Sequence, residues 1–203
     1  MKTVKLSYSI LNAWSSAKFE DAIAMYLGKQ IPSTPYMELG KIKHTQWENY
    51  TNRTGELHPE LKGGKIVNPI VEQKYSKLLP FSDDYQILIR GIIDLETEDT
   101  LIDYKCGRST PSSYVDGWQL DLYKLLRPHA TLGKYLCFNP YTNQVSVGVK
   151  YLNQSNAETA LEHIMTFGGE MISYLTTNRL LVDYKEERKE QPTVQQNNKK
   201  RGG

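Results

Sequence analysis

Two strand-like runs in the middle of the chain, residues 85–94 and 101–105, constrain its fold more than any other feature. They are separated by Thr-Glu-Asp-Thr at 97–100, a sequence typical of a tight turn. If the runs pair as an antiparallel hairpin centred in this turn, Asp94 lies directly opposite Asp103. Opposed β-carbons are about 4.5–5.5 Å apart, and like charges at that distance destabilise a sheet. We therefore expect a positive group to lie between the two carboxylates.

Lys105 is the candidate for that positive group, because it lies two residues after Asp103 and points to the same face of the strand. Two carboxylates and a lysine on one sheet face suit a divalent metal that acts on a phosphodiester. The carboxylates supply hard oxygen ligands, and the lysine supplies a cation near the phosphate. The alternative is a solvent-facing Asp–Lys pair, which is the usual meaning of an isolated D-x-K. Ile93 and Ile102 weigh against it, since an uncompensated carboxylate pair in apolar surroundings is costly or stays protonated.

The composition allows one domain with a core and gives little bulk attraction for nucleic acid. The chain has 203 residues and a formal net charge of +2, so any binding to nucleic acid requires a locally basic surface. Its fourteen tyrosines suit base stacking and a polar-tipped core equally well.

The sequence also predicts an intracellular protein. No apolar run is long enough for a membrane span, and the first residues lack the apolar stretch of a signal peptide. The two cysteines, Cys106 and Cys137, are expected to be buried reduced thiols, and two are too few for a four-cysteine iron–sulfur cluster. We expect a cytoplasmic or nucleoid-associated location, or an intracellular viral one, with no secretion and no membrane partner.

The remaining pattern predicts an α/β protein. Ser7 is a candidate N-cap for a helix that begins at Tyr8, and the pair Ser15-Ser16 divides that helix. The predicted elements are helices near 8–27, 36–50, 113–126 and from an Asn156 cap to 177, and strands near 66–75, 85–95, 101–106, 134–138 and 145–152. We expect one domain over residues 1–184, with a central mixed β-sheet flanked by helices, and a disordered polar and basic tail over 185–203.

Five further residues accompany the hairpin. Gly40 and His44 are four apart on a predicted helix and share one face, where a lone histidine is usually a satisfied core residue. Glu72 lies on the strand before the hairpin and would by itself be an ordinary strand glutamate. Gln119 and Tyr123 are four apart on a later helix, and the alternative interpretation is an exposed polar face.

Taken in order, G-x-x-x-H, G-I-I-D, D-Y-K-x-G and Q-x-x-x-Y resemble the RecB-like branch of the PD-(D/E)XK nuclease superfamily. The opening Leu6-Ser7-Tyr8-Ser9 is similar to the start of that branch, and the resemblance covers roughly residues 5–126. It implies the restriction-endonuclease-like core of that superfamily. The iron–sulfur members of the branch carry cysteines after the first helix and near the C-terminus, where this chain has none, so the resemblance implies a protein without a cluster.

The resemblance also implies roles for individual residues. His44, Asp94 and Asp103 would bind the metal together with the carbonyl of Tyr104, and Lys105 would orient the attacking water and stabilise charge on the phosphate. The remaining residues would support this site. Glu72 would assist a second metal or hold a ligand, and Gln119 and Tyr123 would steady Lys105 or contact DNA. Arg108 and Lys41 are candidate phosphate contacts only because they lie near the motifs.

The function implied is that of a Mg²⁺- or Mn²⁺-dependent DNA nuclease, foremost an exonuclease acting on single-stranded DNA or free ends in repair, recombination or DNA processing. The alternatives are a structure- or sequence-specific endonuclease and a catalytically silent DNA-binding module. The sequence has no phosphate-binding G-x-x-x-x-G-K-[S/T] motif of a helicase. We therefore expect DNA as the partner, used either as pre-existing single strands or together with a helicase, polymerase or recombination protein.

Overall fold

A computed structural model describes residues 1–184 as an α/β fold around one mixed sheet. The elements in chain order are β1 (Lys2–Ser7), α1 (Tyr8–Ser15), α2 (Phe19–Tyr26), α3 (Pro35–Thr54), β2 (Glu56–Leu57), a 3₁₀ turn (Pro59–Leu61), β3 (Gly64–Lys65), β4 (Ile70–Pro80), β5 (Tyr85–Glu96), β6 (Thr100–Cys106), α4 (Pro111–Val115), α5 (Gln119–Leu126), β7 (Leu132–Asn139), β8 (Gln144–Tyr151) and α6 (Gln154–Thr177). The central mixed sheet flanked by helices confirms the predicted fold class.

Strand β5 organises the sheet because it pairs with three others. β4 runs antiparallel along one edge, from Gln86 to Glu96 of β5. On the other edge, β1 runs parallel to residues 85–90, and β6 runs antiparallel through the pairs Leu95–Ile102 and Glu96–Leu101. These two pairs have the register expected for the hairpin.

A gap in the sheet follows from this pairing. β1 stops opposite Arg90 and the ladder with β6 stops at Leu95, so residues 91–94 have no paired strand on that edge within the described chain. Side chains supply the missing partners: the hydroxyl of Tyr123 donates to the carbonyl of Ile92, and the backbone N–H of Tyr104 donates to Asp94, both at 2.7 Å. Buried backbone groups need such partners, and the gap is where the candidate site forms.

Helices cover both faces of the sheet, and β6 shows how the layers divide. Leu101 belongs to the larger core, which packs against helices α1, α5 and α6. Ile102 and Tyr104 belong to the smaller core around Trp47 of α3. This alternation places Asp103 and Lys105 towards α5 and Tyr104 towards α3.

Several predicted elements differ from the structure. The parallel strand β1 was not predicted, because its pairing with β5 joins residues about eighty positions apart, and the helix predicted near 113–126 is two helices, α4 and α5. The N-cap of α6 is Asn153 rather than Asn156, and the two form a reciprocal capping box. Ser7 caps α1 as predicted. The predicted tail at 185–203 lies outside the described residues, and within residues 1–184 no helix has the length and apolar character needed to cross a membrane.

Candidate metal and catalytic site

The predicted site residues come together from four elements. His44 and Lys41 of α3, Glu72 of β4, Asp94 of β5 and Lys105 of β6 line one open cavity of about 640 Å³. Tyr104 also lines this cavity, whereas Gln119 and Tyr123 line an adjoining one. The structure thus brings together residues that lie more than sixty positions apart in the sequence.

A group of three potential metal ligands lies in the cavity, formed by His44, Glu48 and Asp94. One ligand atom from each lies within 4.8 Å of the others, and Nδ1 of His44 is 3.7 Å from Oδ2 of Asp94. Glu48 was missed by sequence reasoning. The sequence feature that could have identified it is its spacing, because Glu48 lies four residues after His44 on the same face of α3.

The charges in this group fit a divalent cation. Burial, and then the neighbouring charge of Asp103, raise the pKa of Asp94 well above its ordinary value. Burial, and then the charge of Glu72, raise the pKa of Glu48 to about 7. Burial lowers the pKa of His44, so its imidazole is neutral at pH 7 and free to bind a metal. A bound cation would relieve the repulsion among the carboxylates, and oxygen and imidazole ligands of this kind suit a divalent ion.

Asp103 is held from the side of α5 instead. The predicted opposition of Asp94 and Asp103 on one sheet face is not formed, because the β5–β6 ladder ends at Leu95 and Asp94 contacts His44 of α3. Asp103 accepts a hydrogen bond from Nε2 of Gln119 at 2.7 Å. The two carboxylates still affect each other, since Asp103 contributes to the raised pKa of Asp94.

Lys105 forms an ion pair with Asp103 and is held in place by Gln119. Nζ of Lys105 lies 2.6 Å from Oδ2 of Asp103, whose side chain is 3% exposed, and it donates to Oε1 of Gln119 at 2.9 Å. Oδ2 of Asp103 is buried and has no aligned hydrogen-bond donor, despite this short contact. Burial is the largest single influence and acts to lower the pKa of Lys105, but the neighbouring charges, those of Asp103 and Asp94 foremost, together outweigh it and the pKa is raised. The ammonium is therefore charged at neutral pH.

Tyr123 completes this network. Its hydroxyl accepts from Nε2 of Gln119 at 2.8 Å and lies 3.2 Å from Oδ1 of Asp103. Because the same hydroxyl donates to the carbonyl of Ile92 in the sheet gap, α5 is anchored to β5 and β6 at once. The predicted Q-x-x-x-Y pair is thus a positioning device for Asp103 and Lys105 rather than an exposed polar face.

The other predicted residues lie at the periphery. Glu72 has φ of +51° and lies opposite Asp94, between the pairs Val71–Leu95 and Gln73–Ile93, where the β4–β5 ladder is interrupted without a change of register. Its exposed side chain lines the cavity wall. Lys41 contacts Glu38 at 2.8 Å.

Arg108 and Gly40 complete the predicted set. The guanidinium of Arg108 lies over the ring of Tyr141, 4.2 Å from its centroid, outside the residues that line the site cavity. A Cβ added at Gly40 would lie 3.9 Å from that of Cys106, which is ordinary contact. Close approach of a strand therefore does not require a glycine at this position.

The fold is shared with solved structures of low sequence identity. The crystal structure of SSO0001 superposes with a TM-score of 0.54 at 16% identity, covering 84% of this chain and 76% of that one. LHK-Exo, an alkaline exonuclease from Laribacter hongkongensis, superposes with a TM-score of 0.52 at 12% identity, covering 91% and 94% of the two chains. Its complex with dAMP gives a TM-score of 0.53 at 13% identity, with the same coverage.

These likenesses show that the chain shares its fold with solved structures that include an alkaline exonuclease. No protein-family model matches the chain, and no curated protein matches it significantly. At these identities the comparison establishes a common fold, and the activity must be argued from the site itself.

Proposed function

We propose that this protein is a metal-dependent DNA nuclease related to the RecB-like branch of the PD-(D/E)XK superfamily and without an iron–sulfur cluster. The observation that carries the proposal is the pair of Asp103 and Lys105, fixed by Gln119 beside His44 and Asp94. A charged lysine next to grouped oxygen and imidazole ligands is suited to phosphodiester hydrolysis. The resemblance of the motifs and the fold of an alkaline exonuclease support the same conclusion.

The residues divide the chemistry between them. His44, Glu48 and Asp94 would hold a Mg²⁺ or Mn²⁺ ion, with Asp103 and the carbonyl of Tyr104 beside them. Such an ion, when bound, lowers the pKa of a water molecule and offsets charge on the scissile phosphate.

Lys105 supplies the fixed positive charge of the site. Its raised pKa keeps it protonated at neutral pH, so it acts through charge and orientation rather than by accepting a proton. Gln119 and Tyr123 hold Lys105 and Asp103 in place, so that these side chains are already oriented when the substrate binds.

Within this proposal, the substrate is single-stranded DNA or a free DNA end, used in repair, recombination or other DNA processing inside the cell. The fold of LHK-Exo, solved with dAMP, supports an exonuclease over an endonuclease. The charged and intact site favours an enzyme over a silent binding module, because a binding module has no need of a buried Asp–Lys pair.

The test is a gel assay with Mn²⁺ on end-labelled linear and on circular single-stranded DNA. We would compare the wild-type protein with Asp103→Ala and with Lys77→Ala, an exposed lysine of β4 that lines neither cavity. Wild type and Lys77→Ala should degrade the linear strand, whereas Asp103→Ala should bind DNA without cutting it.

The outcomes separate the candidates. Cutting of the linear strand alone indicates an exonuclease, and the label gives its polarity. Cutting of both strands indicates an endonuclease. Cutting by Asp103→Ala at the wild-type rate would overturn the site assignment, and no cutting by wild type would favour the silent module.

A further inference from the structure

Three side chains from distant parts of the sequence meet at the edge of the site cavity. They are Tyr36 in the first turn of α3, Arg108 after β6, and Tyr141 in the turn between β7 and β8, and we call them the aromatic rim. The rings of Tyr36 and Tyr141 have centroids 6.0 Å apart and are tilted by 55°. Arg108 lies over the ring of Tyr141.

Packing of the core does not account for these rings. Tyr104, Tyr123 and Tyr135 are nearly fully buried and serve the core or the catalytic network. Tyr36 and Tyr141, by contrast, are 50% and 53% exposed. Half-exposed rings in mutual contact leave apolar surface in water, a feature that commonly marks a binding surface.

The position of the rim connects it to the chemistry. Tyr36 lines the same cavity as His44, Asp94 and Lys105, and the exposed Met37 lines it too. Tyr141 adjoins that wall through its contact with Tyr36, and Arg108 through its contact with Tyr141. A polymer that places a phosphate beside Lys105 would therefore pass over the rim within a few monomer lengths.

We propose that the aromatic rim binds an unpaired DNA strand, with bases stacking on Tyr36 and Tyr141 and a neighbouring phosphate contacting Arg108. This inference rests on the proposed nuclease function and names the form of DNA that the site takes. Aromatic side chains beside a cation are the usual means of holding single strands without sequence preference. Bases inside a duplex have both faces covered by their neighbours, so the rim selects for unpaired DNA.

The test measures binding and compares variants of the rim on two DNA strands that differ only in their bases. Fluorescence anisotropy in EDTA, which prevents cleavage, would follow a labelled oligothymidylate and an abasic strand of equal length and charge. The variants are Tyr36→Leu/Tyr141→Leu, the ring-preserving Tyr36→Phe/Tyr141→Phe, and Tyr151→Leu as a control. Tyr151 is 81% exposed and lies at the opposite end of β8.

The double leucine variant should bind oligothymidylate at least about tenfold more weakly, and the double phenylalanine variant should stay within about twofold of wild type. The abasic strand should bind equally to wild type and to the leucine variant, because it offers no base to stack. Tyr151→Leu should match wild type throughout. With Mn²⁺, the leucine variant should show a raised KM on single strands.

Three results would overturn the inference: an undiminished affinity of the leucine variant for oligothymidylate, an equal loss on both strands, or a wild-type protein that binds neither strand. The proposed function fails separately. Wild type that binds as described yet cuts nothing with any divalent ion would refute the nuclease and leave the rim as a binding surface. A protein that cuts normally while its leucine variant keeps the wild-type KM would refute the rim alone.

Discussion

Replacing Lys105 with methionine should destabilise the fold as well as stop the reaction. The ammonium lies 2.6 Å from a carboxylate oxygen of Asp103, and the two side chains are 22% and 3% exposed. At an effective dielectric constant of about 20, this attraction is worth roughly 6 kcal/mol, part of which is offset by desolvation of both ions. Removing one partner of such a buried pair leaves an uncompensated charge, so Lys105→Met should reduce the free energy of unfolding by about 3–5 kcal/mol.

The sign of the pH dependence sets the conditions of the assay. The folded-state pKa of Lys105 is raised, so its contribution to stability is fully present below the ordinary lysine pKa and is lost only as pH rises through the folded value. Urea denaturation at neutral pH therefore measures the whole effect. In thermal melts the same loss should lower the midpoint by about 10 °C for a chain of this length.

A double-mutant cycle separates the ion pair from general disruption. Asp103→Asn removes the buried charge while its amide oxygen can still accept from Gln119, so adding it to Lys105→Met should restore more than half of the lost stability. If the double variant is as unstable as Lys105→Met, or if Lys105→Met unfolds like wild type, the reasoning about the buried pair is wrong.

Three further predictions concern the glycine of the sheet gap and the metal ligands. Gly91→Ala should lower the free energy of unfolding by about 1–3 kcal/mol, because the new Cβ would lie 2.7 Å from Cδ1 of Leu126. Gly168→Ala, whose nearest contact would be 3.0 Å, should have the smaller effect in the same urea titration, and the reverse order would contradict the packing argument. Since the pKa of Glu48 is raised to about 7, the metal must displace its proton at lower pH. Mn²⁺ affinity by calorimetry should therefore rise from about pH 6 to 8 and flatten in Glu48→Gln, whereas a pH-independent wild type would refute this. The imidazole of His44 is a softer ligand than a carboxylate, so cleavage should be faster with Mn²⁺ than with Mg²⁺, and equal rates would count against that ligand.

Local sequence determined the elements whose signals lie close together in the chain. The turn at 97–100 and the apolar runs beside it predicted the hairpin, and the pairs Leu95–Ile102 and Glu96–Leu101 follow that register. Ser7 caps α1 as predicted, because capping depends on residues within one turn. Gln119 and Tyr123 are four residues apart on one helix, and this spacing likewise predicted that they act together.

Only the tertiary structure decided how these pieces form a site. Strand β1 pairs with β5 across about eighty residues, and its end at Arg90 opens the gap that Tyr123 and Asp94 fill with hydrogen bonds. Glu48 became a candidate ligand when packing of α3 placed it beside Asp94, and a local pattern carries no record of that contact.

The tyrosines show the same division most plainly. The sequence determines that there are fourteen, and it leaves base stacking and core packing equally open. The fold buries Tyr104 and Tyr123 and leaves Tyr36 and Tyr141 half-exposed at the edge of the site. Chemical type and local spacing are properties of the chain, whereas burial and proximity depend on contacts between distant segments, and those contacts form only when the sheet and its helices pack together.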